Sequence, residues 1–530
     1  MSGLGGWVGR RLRRVFRIAR RRSAELDSRR DEQDERRGSR SERLSGNARR
    51  DAEHIRRLLG EPPELVIRPI DGAESQAILV YIDGLVDQNQ VAEHIIAPLT
   101  REPSAKAREP FPAQQSRLET LDGAASALLL GHCVLLRDRE GATAYDVRNW
   151  AKRAVEQVQT EPTEVGPREG FTEDLATNLA LVRRRLRTHR FRSEQFVLGE
   201  QTRTQVRLLY LAGIARNELV AEVRHRLRSV DIDGVLGINH VDELTSDNPL
   251  SPFPSTVTTE RPDRVASMML EGNVAILVDG SPLALVMPGT FSALLQSSDD
   301  FHQRFFYASF TRMVRWISVA VGLMAPSIYV SLISYHHELV PTRLLFTIAA
   351  SREGIPFPPI IEAVLMEMAF EVLREAGLRM PRQFGQALSI VGVLVIGESA
   401  VRAGLVSPLM IVVVGMTAIA TFAIPATPLA NAIRLLRFPM MALAGVLGLF
   451  GVFFGFMLVV GLLVSSRSYG VPYLTPVIPV WFKGLQDATF RGPVWWHQMR
   501  PWYTARPGQL RRQPPGQKPQ PKGPRPGERP

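Results

Sequence analysis

The sequence predicts an α+β multidomain membrane protein, in which two tandem α/β cytoplasmic modules precede an α-helical transmembrane bundle of about four spans. Residues 316–466 contain four apolar runs, each long enough for a hydrocarbon layer that needs about 20 residues. Residues 62–300 instead alternate short apolar runs with helical spacing, which is typical of mixed folds. The net charge of +12 is concentrated at the two ends, with 18 arginines against 9 acidic residues in residues 1–60.

The ends differ in composition from the rest of the chain. Residues 1–60 form an Arg-rich arm that is expected to be disordered or to lie on a membrane surface, and residues 467–530 form a C-terminal segment with a Pro-rich basic tail. Such ends favour anionic lipid as a partner, and no nucleic acid is expected. Residues 1–22 lack the apolar core of a signal peptide. The single cysteine, Cys133, excludes an intramolecular disulfide.

Two α/β modules are predicted before the bundle, at residues 62–160 and 195–300, joined by a linker and helix at 161–194. In the first module, AILVYIDGLVD (77–87) predicts a strand. Two further strands joined by a turn are predicted at residues 126–138 and 141–147.

Internal sequence similarity supports the division into two modules. YIDGLVDQNQVAEH, which begins at Tyr81, resembles YLAGIARNELVAEV, which begins at Tyr210. GHCVLL (131–136) is echoed by GNVAIL (272–277). We interpret the modules as products of one duplication, with chance similarity as the alternative.

The transmembrane domain is placed at residues 301–466, with spans at 316–334, 384–405, 406–425 and 438–466. Residues 299–315 predict an amphipathic helix on the membrane surface. Arg312 and Arg315 stand just before the first span and place the preceding modules in the cytoplasm. The acidic helix at 358–376 is expected to be re-entrant or interfacial. The alternative is that this helix forms a fifth span.

Charged residues inside the membrane segment are the candidate functional residues. An ionisable group in hydrocarbon costs at least about 2.5–3.5 kcal/mol, so such groups usually face a cavity or a partner. In an oligomer, rings of carboxylates would suit cation conduction, whereas local pairing along the helices is the structural alternative. The candidate pore or ion-path residues are Glu362, Glu367, Glu371, Glu375, Glu398 and Arg402.

No catalytic constellation is recognised in the sequence. It contains no phosphate-binding loop that ends in Gly-Lys, no His-Glu-x-x-His motif and no Gly-x-Ser-x-Gly motif. Adjacent histidines at His336 and His337 do not share a helix face. We therefore expect no enzymatic activity, no cofactor and no metal site.

Longer motifs give the sequence a resemblance to a known family. They include YIDGLVD (81–87), IVGVLVIGESAVRAGLVSP (390–408) and YGVPYLTPVIP (469–479), together with residues 167–186, 253–282 and 335–381. In these motifs the chain resembles the A subunit of GerA-type spore germinant receptors. The related stage V sporulation protein AF has the same architecture, so both assignments stay open.

The resemblance implies a place and a role. It implies the inner membrane of the bacterial spore, with the N-terminal domain on the cytoplasmic (core) side, and germinant receptor B and C subunits as partners. It also implies a homo-oligomeric, ion-conducting assembly that releases cations in response to nutrients. Two alternatives are a secondary transporter, for which no inverted repeat is found, and a membrane-anchored scaffold of the germination complex.

Overall fold

Two compact units make up the chain in the computed structural model. One contains residues 1–150 and 187–189, and the other contains residues 151–186 and 190–530. The first 42 residues of the predicted arm, most of the predicted span 384–405 and the tail after residue 506 lie outside the described residues. The described residues are 43–70, 77–100, 115–139, 141–148, 161, 163, 165–379, 397–493 and 499–506.

The first unit is built on a five-stranded antiparallel sheet with the strand order β1-β2-β4-β5-β3. The strands are β1 (Leu65–Ile70), β2 (Ala77–Ile82), β3 (Gln115–Leu118), β4 (Cys133–Arg137) and β5 (Gly141–Tyr145). The helices are α1 (Ala48–Leu58), α2 (Gln88–Val91), a π-helical turn (Ala92–Ile96), α3 (Ala97–Thr100) and α4 (Leu121–Leu129).

The structure differs from the predicted arm at α1. The Asn47 side chain accepts a hydrogen bond from the Arg50 N–H and caps this helix, and Ala52 and Ile55 are buried. Residues 48–58 therefore belong to the folded unit, because their apolar face is covered even though the segment is rich in arginine.

The predicted strand at 126–138 is wrong in its first part. Thr120 accepts a hydrogen bond from the Gly123 N–H and begins α4, which lasts to Leu129. Only Cys133–Arg137 of this run forms a strand. The physical reason is that a short apolar run has no periodicity that separates a strand from a buried helix.

The second unit begins with a sheet of the same plan. Its strand order, β6-β7-β9-β10-β8, repeats the order of the first sheet strand for strand, again with antiparallel pairing throughout. The strands are β6 (Phe191–Leu198), β7 (Thr204–Leu211), β8 (Val257–Thr259), β9 (Val274–Val278) and β10 (Ala284–Met287). The helices are α5 (Leu175–Arg185), α6 (Asn217–Ser229), α7 (Ile238–Thr245) and α8 (Pro262–Leu270). A duplication would produce this shared order.

Both faces of the second sheet are buried. Ala275 and Leu277 lie in an apolar cluster with residues of α5 and α8, and this cluster continues into the helical bundle. Val274 and Ile276 lie in a second cluster, with residues of α6 and α7. Because successive residues of a strand face opposite sides, burial on both sides accounts for the uninterrupted apolar sequence of β9.

A helical bundle follows the second sheet. Its elements are α9 (Phe291–Leu294), α10 (Asp299–His302), α11 (Phe305–Ser334), a 3₁₀ turn (His337–Leu339), α12 (Thr342–Arg352), α13 (Pro359–Arg379), α14 (Pro408–Phe422) and α15 (Thr427–Ser465). Among the described residues, α11 and α15 are the two helices that are long and apolar enough to cross a membrane. α11 packs against α13, α14 and α15.

α15 folds back on itself at Gly448. This residue has φ 61° and ψ −142°, a combination that is unfavourable for any residue with a side chain. A straight helix would separate Met440 from Gly455 by about 22 Å, yet a Cβ added at Gly455 would lie 2.5 Å from Met440 Sδ. Tyr335, just after α11, donates a hydrogen bond to the Gly445 carbonyl, so the turn lies beside that end of α11. α15 is therefore a helical hairpin.

The described residues do not support four spans at the predicted positions. The predicted span 316–334 is the larger part of α11, whereas the span at 406–425 is α14, whose 15 residues are short for a crossing. The predicted span 438–466 is divided by the turn of the hairpin. Its two arms are residues 427–447, here called the first arm, and residues 449–465, called the second arm.

The acidic helix predicted at 358–376 forms α13 and packs inside the bundle. It runs antiparallel to the first arm of α15, because Glu367 pairs with Arg437 and Glu371 pairs with Arg434. Its 21 residues extend for about 31 Å, close to the thickness of a hydrocarbon layer.

After the bundle the chain returns to the second sheet. It forms the hairpin β11 (Arg467–Ser468) and β12 (Val471–Pro472), then α16 (Phe482–Ala488). The Tyr469 hydroxyl lies 2.8 Å from Thr245 Oγ1, and Ala505 forms a β-bridge with Ala215. The described part of the C-terminal segment is thus integrated into the second unit.

Candidate functional site

The six residues predicted for an ion path divide into a buried and an exposed group. Glu362 and Glu367 are buried inside the bundle, with exposed fractions of 0% and 3%. The remaining four have partly or fully exposed side chains: Glu371, Glu375, Glu398 and Arg402.

Glu362 is held by a network at one end of the bundle. Arg352, the last residue of α12, donates from Nη1 to Glu362 Oε2 at 2.6 Å. The backbone N–H and the hydroxyl of Ser407, which caps α14, donate to Oε1. The Tyr329 hydroxyl lies 2.9 Å from Ser407 Oγ and accepts a hydrogen bond from Arg352. The carboxylate therefore joins α11, α12, α13 and α14.

Glu367 forms a buried ion pair in the middle of the bundle. Its Oε2 accepts a hydrogen bond from Arg437 Nη1, and both side chains are 3% exposed. Thr417 Oγ1 donates to Glu367 Oε1 at 3.2 Å, and Arg437 Nε donates to the Gly322 carbonyl at 2.7 Å. Two opposite charges with further hydrogen bonds can remain ionised in a medium that excludes water, because each compensates the other.

The exposed group is paired along its own helices. Glu371 accepts from Arg374 and also from Arg434 of the first arm, each at 3.2 Å. The other two carboxylates pair four residues further on, Glu375 with Arg379 and Glu398 with Arg402. These are the local pairs that the sequence offered as the alternative to a pore.

Sequence spacing does not reveal the partners of the buried carboxylates. Arg352 lies ten residues before Glu362, beyond the reach of helix spacing, and Arg437 lies 70 residues after Glu367. The available signal was the presence of Arg434 and Arg437 in an otherwise apolar segment, because unpaired arginines are costly there.

A second buried charge cluster lies where the bundle meets the second sheet. Arg312 is 1% exposed, and its Nε donates to Asp300 Oδ2 at 3.0 Å. Its Nη1 donates to Asp487 Oδ1 at 3.3 Å and to the Asp487 carbonyl. Arg315 Nη1 donates to the same Asp300 carboxylate at 2.8 Å. Asp300 thus pairs with two arginines from the second and third turns of α11, and Asp487 supplies the second negative charge.

This cluster corrects two predictions. Residues 299–315 do not form one helix on a membrane surface, since the chain breaks after α10 and α11 begins at Phe305 with Arg312 buried. Arg312 and Arg315 also no longer indicate which side of the membrane the modules occupy. Their charges are compensated inside the protein, whereas the positive-inside tendency concerns arginines in loops.

The described residues contain no group of three histidine, cysteine, aspartate or glutamate side chains placed to hold a metal ion. His336 lies with Nδ1 3.4 Å from the Ser331 carbonyl, close to the turn of the α15 hairpin. Cys133 is fully buried in the first sheet, and burial raises the pKa of its thiol, which suppresses the reactive thiolate.

Outside the bundle, Glu194 is the most strongly hydrogen-bonded carboxylate of the second sheet. Arg224 donates two hydrogen bonds to it, at 2.8 and 2.6 Å, and the Tyr210 hydroxyl donates a third at 2.7 Å. These donors, Arg224 first, lower the pKa of Glu194. Burial, with the neighbouring Glu194 carboxylate, raises the pKa of Tyr210 to about 12.

We expect Glu194→Gln to destabilise the second sheet at pH 7 by about 1–2 kcal/mol. Since the folded pKa of Glu194 lies below its unfolded value of about 4.3, its stabilising contribution is complete above that pH and disappears as the pH falls through the folded pKa. Amide hydrogen exchange of β6 and β7 in the full chain should therefore be faster in Glu194→Gln than in wild type at pH 7. The protection of the two proteins should become equal as the pH is lowered. Glu200→Gln, at an exposed position after β6, is the control. An equal difference at acidic pH would contradict this assignment.

Comparisons with known proteins show which family this chain belongs to. A family model described as Bacillus/Clostridium GerA spore germination protein matches residues 53–503. The chain is 39% identical over 461 residues to spore germination protein KA of Bacillus subtilis (strain 168), which covers 84% of each chain. It is 36% identical over 458 residues to spore germination protein B1 of the same organism, which covers 84% of this chain and 95% of the relative.

A solved structure is also similar. It is the crystal structure of the N-terminal domain of the A subunit of the Bacillus megaterium spore germinant receptor GerK3, with 28% identity and a TM-score of 0.37. The similarity covers 47% of this chain and 98% of that one. From the family match and the two relatives, this chain belongs to the GerA family of spore germination proteins.

Proposed function

We propose that this chain is the membrane subunit of a spore germinant receptor complex, and that copies of it assemble into an ion-conducting oligomer. In response to nutrients the assembly would release cations and trigger germination. The receptor role is supported by relatives named as spore germination proteins over most of the chain. The conducting role depends on one observation, the exposed acidic face of α13.

This face combines apolar and acidic side chains. Met368 and Val372 are exposed, Glu371 lies three residues after Met368, and Glu375 lies three residues after Val372, so all four share one side of the helix. Carboxylates on a lipid-facing surface are costly, so such a face is expected to meet another copy or water. In a ring of copies, Glu375 would be repeated around a shared axis, where carboxylates attract cations.

The buried carboxylates have a different part in this proposal. Glu362 and Glu367 are neutralised by arginines of the same protomer, so they stabilise the bundle and give it shape. The ion path itself would be lined by the exposed members of the predicted set, which are Glu371, Glu375, Glu398 and Arg402.

For the arrangement in the membrane, we propose that α13 and both arms of α15 cross beside α11. This replaces the four predicted spans, and it brings the second arm back to the side from which α11 departs. We place the protein in the inner spore membrane with both modules on the core side, beside germinant receptor B and C subunits. The Arg-rich residues before residue 43 and the basic residues after residue 506 would contact anionic lipid.

A scaffold that only tethers the modules is the second candidate function. The internal pairing of Glu362 and Glu367 favours it, because these buried charges then need no path to explain them. The exposed carboxylates of α13 would have no role in a scaffold, and this difference can be tested.

The test replaces Glu375 and follows potassium release from spores given nutrient. We expect Glu375→Lys to lower the initial rate several-fold and Glu375→Gln to lower it less, since a ring of like charges would be inverted or removed. Glu375→Asp keeps the charge and is the matched control. If Glu375→Lys and wild type release potassium equally at equal protein levels, conduction along this face is wrong and the scaffold is favoured.

A further inference from the structure

An arginine-lined cavity lies between the second sheet and the bundle, within the second unit. Its volume is about 430 Å³, which is in the range of small-molecule sites, roughly 300–1,000 Å³. Four arginines line it: Arg264, Arg315, Arg374 and Arg434. Among the described residues that line it, Glu161 is the only acidic side chain. Asp300 and Glu371, which do not line the cavity, also pair with these arginines, so the four positive charges exceed the three negative charges beside them by one.

The four arginines come from two walls. Arg264 on α8 and Arg315 on α11 lie at the junction with the second sheet, and Arg374 on α13 and Arg434 on the first arm lie at the end of the bundle. All four are largely buried. A group held between these walls would contact both parts of the unit.

Each arginine is fixed by a carboxylate, and two of the four retain several free donors. Arg264 pairs with Glu161, Arg315 with Asp300, and both Arg374 and Arg434 with Glu371. Within the described residues, Arg374 and Arg315 donate only from Nη1, so their Nε–H and Nη2–H groups are available. A guanidinium presents five donors in a rigid fork that matches the oxygens of phosphate and carboxylate groups.

An unpartnered hydroxyl in the same cavity independently indicates a ligand. Ser298 lines this cavity and also a neighbouring one, is 7% exposed, and its Oγ has no hydrogen-bond partner among the described residues. A buried polar atom without a partner is unusual and costs about 1–3 kcal/mol. A ligand oxygen would satisfy it.

We propose that this cavity binds a phosphate-bearing anion, held between Arg374 and Arg434 on one wall and Arg264, Arg315 and Ser298 on the other. The rest of the lining includes apolar side chains, Phe370, Phe422 and Ile424, which suit an uncharged portion of the same ligand. The ligand is either a phospholipid headgroup or a soluble phosphate. This site shares Glu371 with the proposed ion path, because Glu371 fixes Arg374 and Arg434, but anion binding by the purified protein can be measured without any conduction.

The test measures binding to the purified full-length protein in uncharged detergent at low ionic strength, because salt screens such contacts. The probes are inorganic phosphate, short-chain phosphatidylglycerol and short-chain phosphatidylcholine as the net-neutral reference. The readout is the dissociation constant from the rise in melting temperature with probe concentration. Saturable stabilisation by inorganic phosphate identifies a soluble phosphate, and stabilisation by phosphatidylglycerol alone identifies a headgroup. Absence of stabilisation by either anion overturns the proposal.

One variant and a matched control show whether the anion binds in this cavity. Arg374→Gln should weaken anion binding roughly tenfold, the effect of removing one charge-assisted contact. Arg379→Gln lies on the same helix, pairs with Glu375 outside the cavity, and should leave binding unchanged. All variants retain the basic ends, so nonspecific binding of anions to those ends contributes equally to every variant and does not affect the comparison. Equal weakening in both variants, or in neither, overturns the proposal.

Ser298→Ala provides a second criterion that holds even where Arg374→Gln does not fold. The variant removes a hydroxyl without a partner, so the melting temperature without ligand should stay the same or rise. Anion binding should weaken several-fold. Unchanged affinity in Ser298→Ala would remove Ser298 from the site and overturn the arrangement proposed here.

Discussion

Replacing Arg437 with methionine is expected to destabilise the helical bundle by about 3–5 kcal/mol, the typical cost of removing one partner from a buried ion pair. Glu367 would lose its counter-ion at 3% exposure and keep the Thr417 hydroxyl as its remaining hydrogen-bond donor. The measurement is thermal unfolding of the purified full chain in detergent, together with the folded fraction recovered from membranes.

A double variant separates the contribution of the charge pair to stability from the contribution of packing. In the double variant Glu367→Gln with Arg437→Met neither charge remains. We expect this variant to regain most of the stability that Arg437→Met loses, as measured in a double-mutant cycle. Arg379→Met is the matched control, because that arginine also pairs with a glutamate but at 80% exposure, where an ion pair contributes little. Should Arg437→Met lose no more stability than Arg379→Met, the buried pair does not hold the bundle together.

Gly451→Ala is expected to prevent the α15 hairpin from closing. A Cβ at this position would overlap the carbonyl oxygen of Leu443 and lie 2.6 Å from its carbonyl carbon. Both atoms belong to the backbone of the opposite arm, so no side-chain rotation relieves the overlap. Overpacking typically costs about 1–3 kcal/mol, and a rigid backbone contact places this change at or above the upper end.

A second glycine of the same arm provides the control. A Cβ at Gly461 would meet nothing within 4 Å, so Gly461→Ala should be neutral or raise helix stability by up to about 1 kcal/mol. Monodispersity in size-exclusion chromatography and the melting temperature of the two variants give the comparison. Equal behaviour of Gly451→Ala and Gly461→Ala would mean that the arms do not approach as closely as the structure indicates.

The same hairpin shows why sequence reasoning counted the spans incorrectly. An apolar run of nearly 30 residues predicts one long helix. Hydropathy depends on composition alone, so it does not show where the chain reverses direction within the run. Gly448 was one glycine among several in that run, and only its positive φ distinguishes it. The information that α15 reverses lies in contacts between residues far apart in sequence, such as Met440 with Gly455.

Local patterns predicted the sheets better than the site. The strand at Ala77–Ile82 and the hairpin of β4 and β5 follow from short apolar runs and the turn between them. Four of the five candidate carboxylates lie on one helix, α13, as their spacing indicated, and Glu398 lies outside it. Their partners could not be assigned, because Arg352 and Arg437 reach Glu362 and Glu367 only after the chain has folded. Spacing rules see neighbours within one or two helical turns.

The return of the chain to the second sheet after the bundle has a mechanical consequence. α11 departs from the sheet through the Asp300–Arg312 contact, and the second arm arrives back where Ser468 donates to the Ser255 carbonyl. Between these two chain connections the apolar core of the sheet also continues into the bundle, so the bundle cannot pivot on a single joint. Any stimulus that shifts the sheet would therefore move the bundle helices together with it.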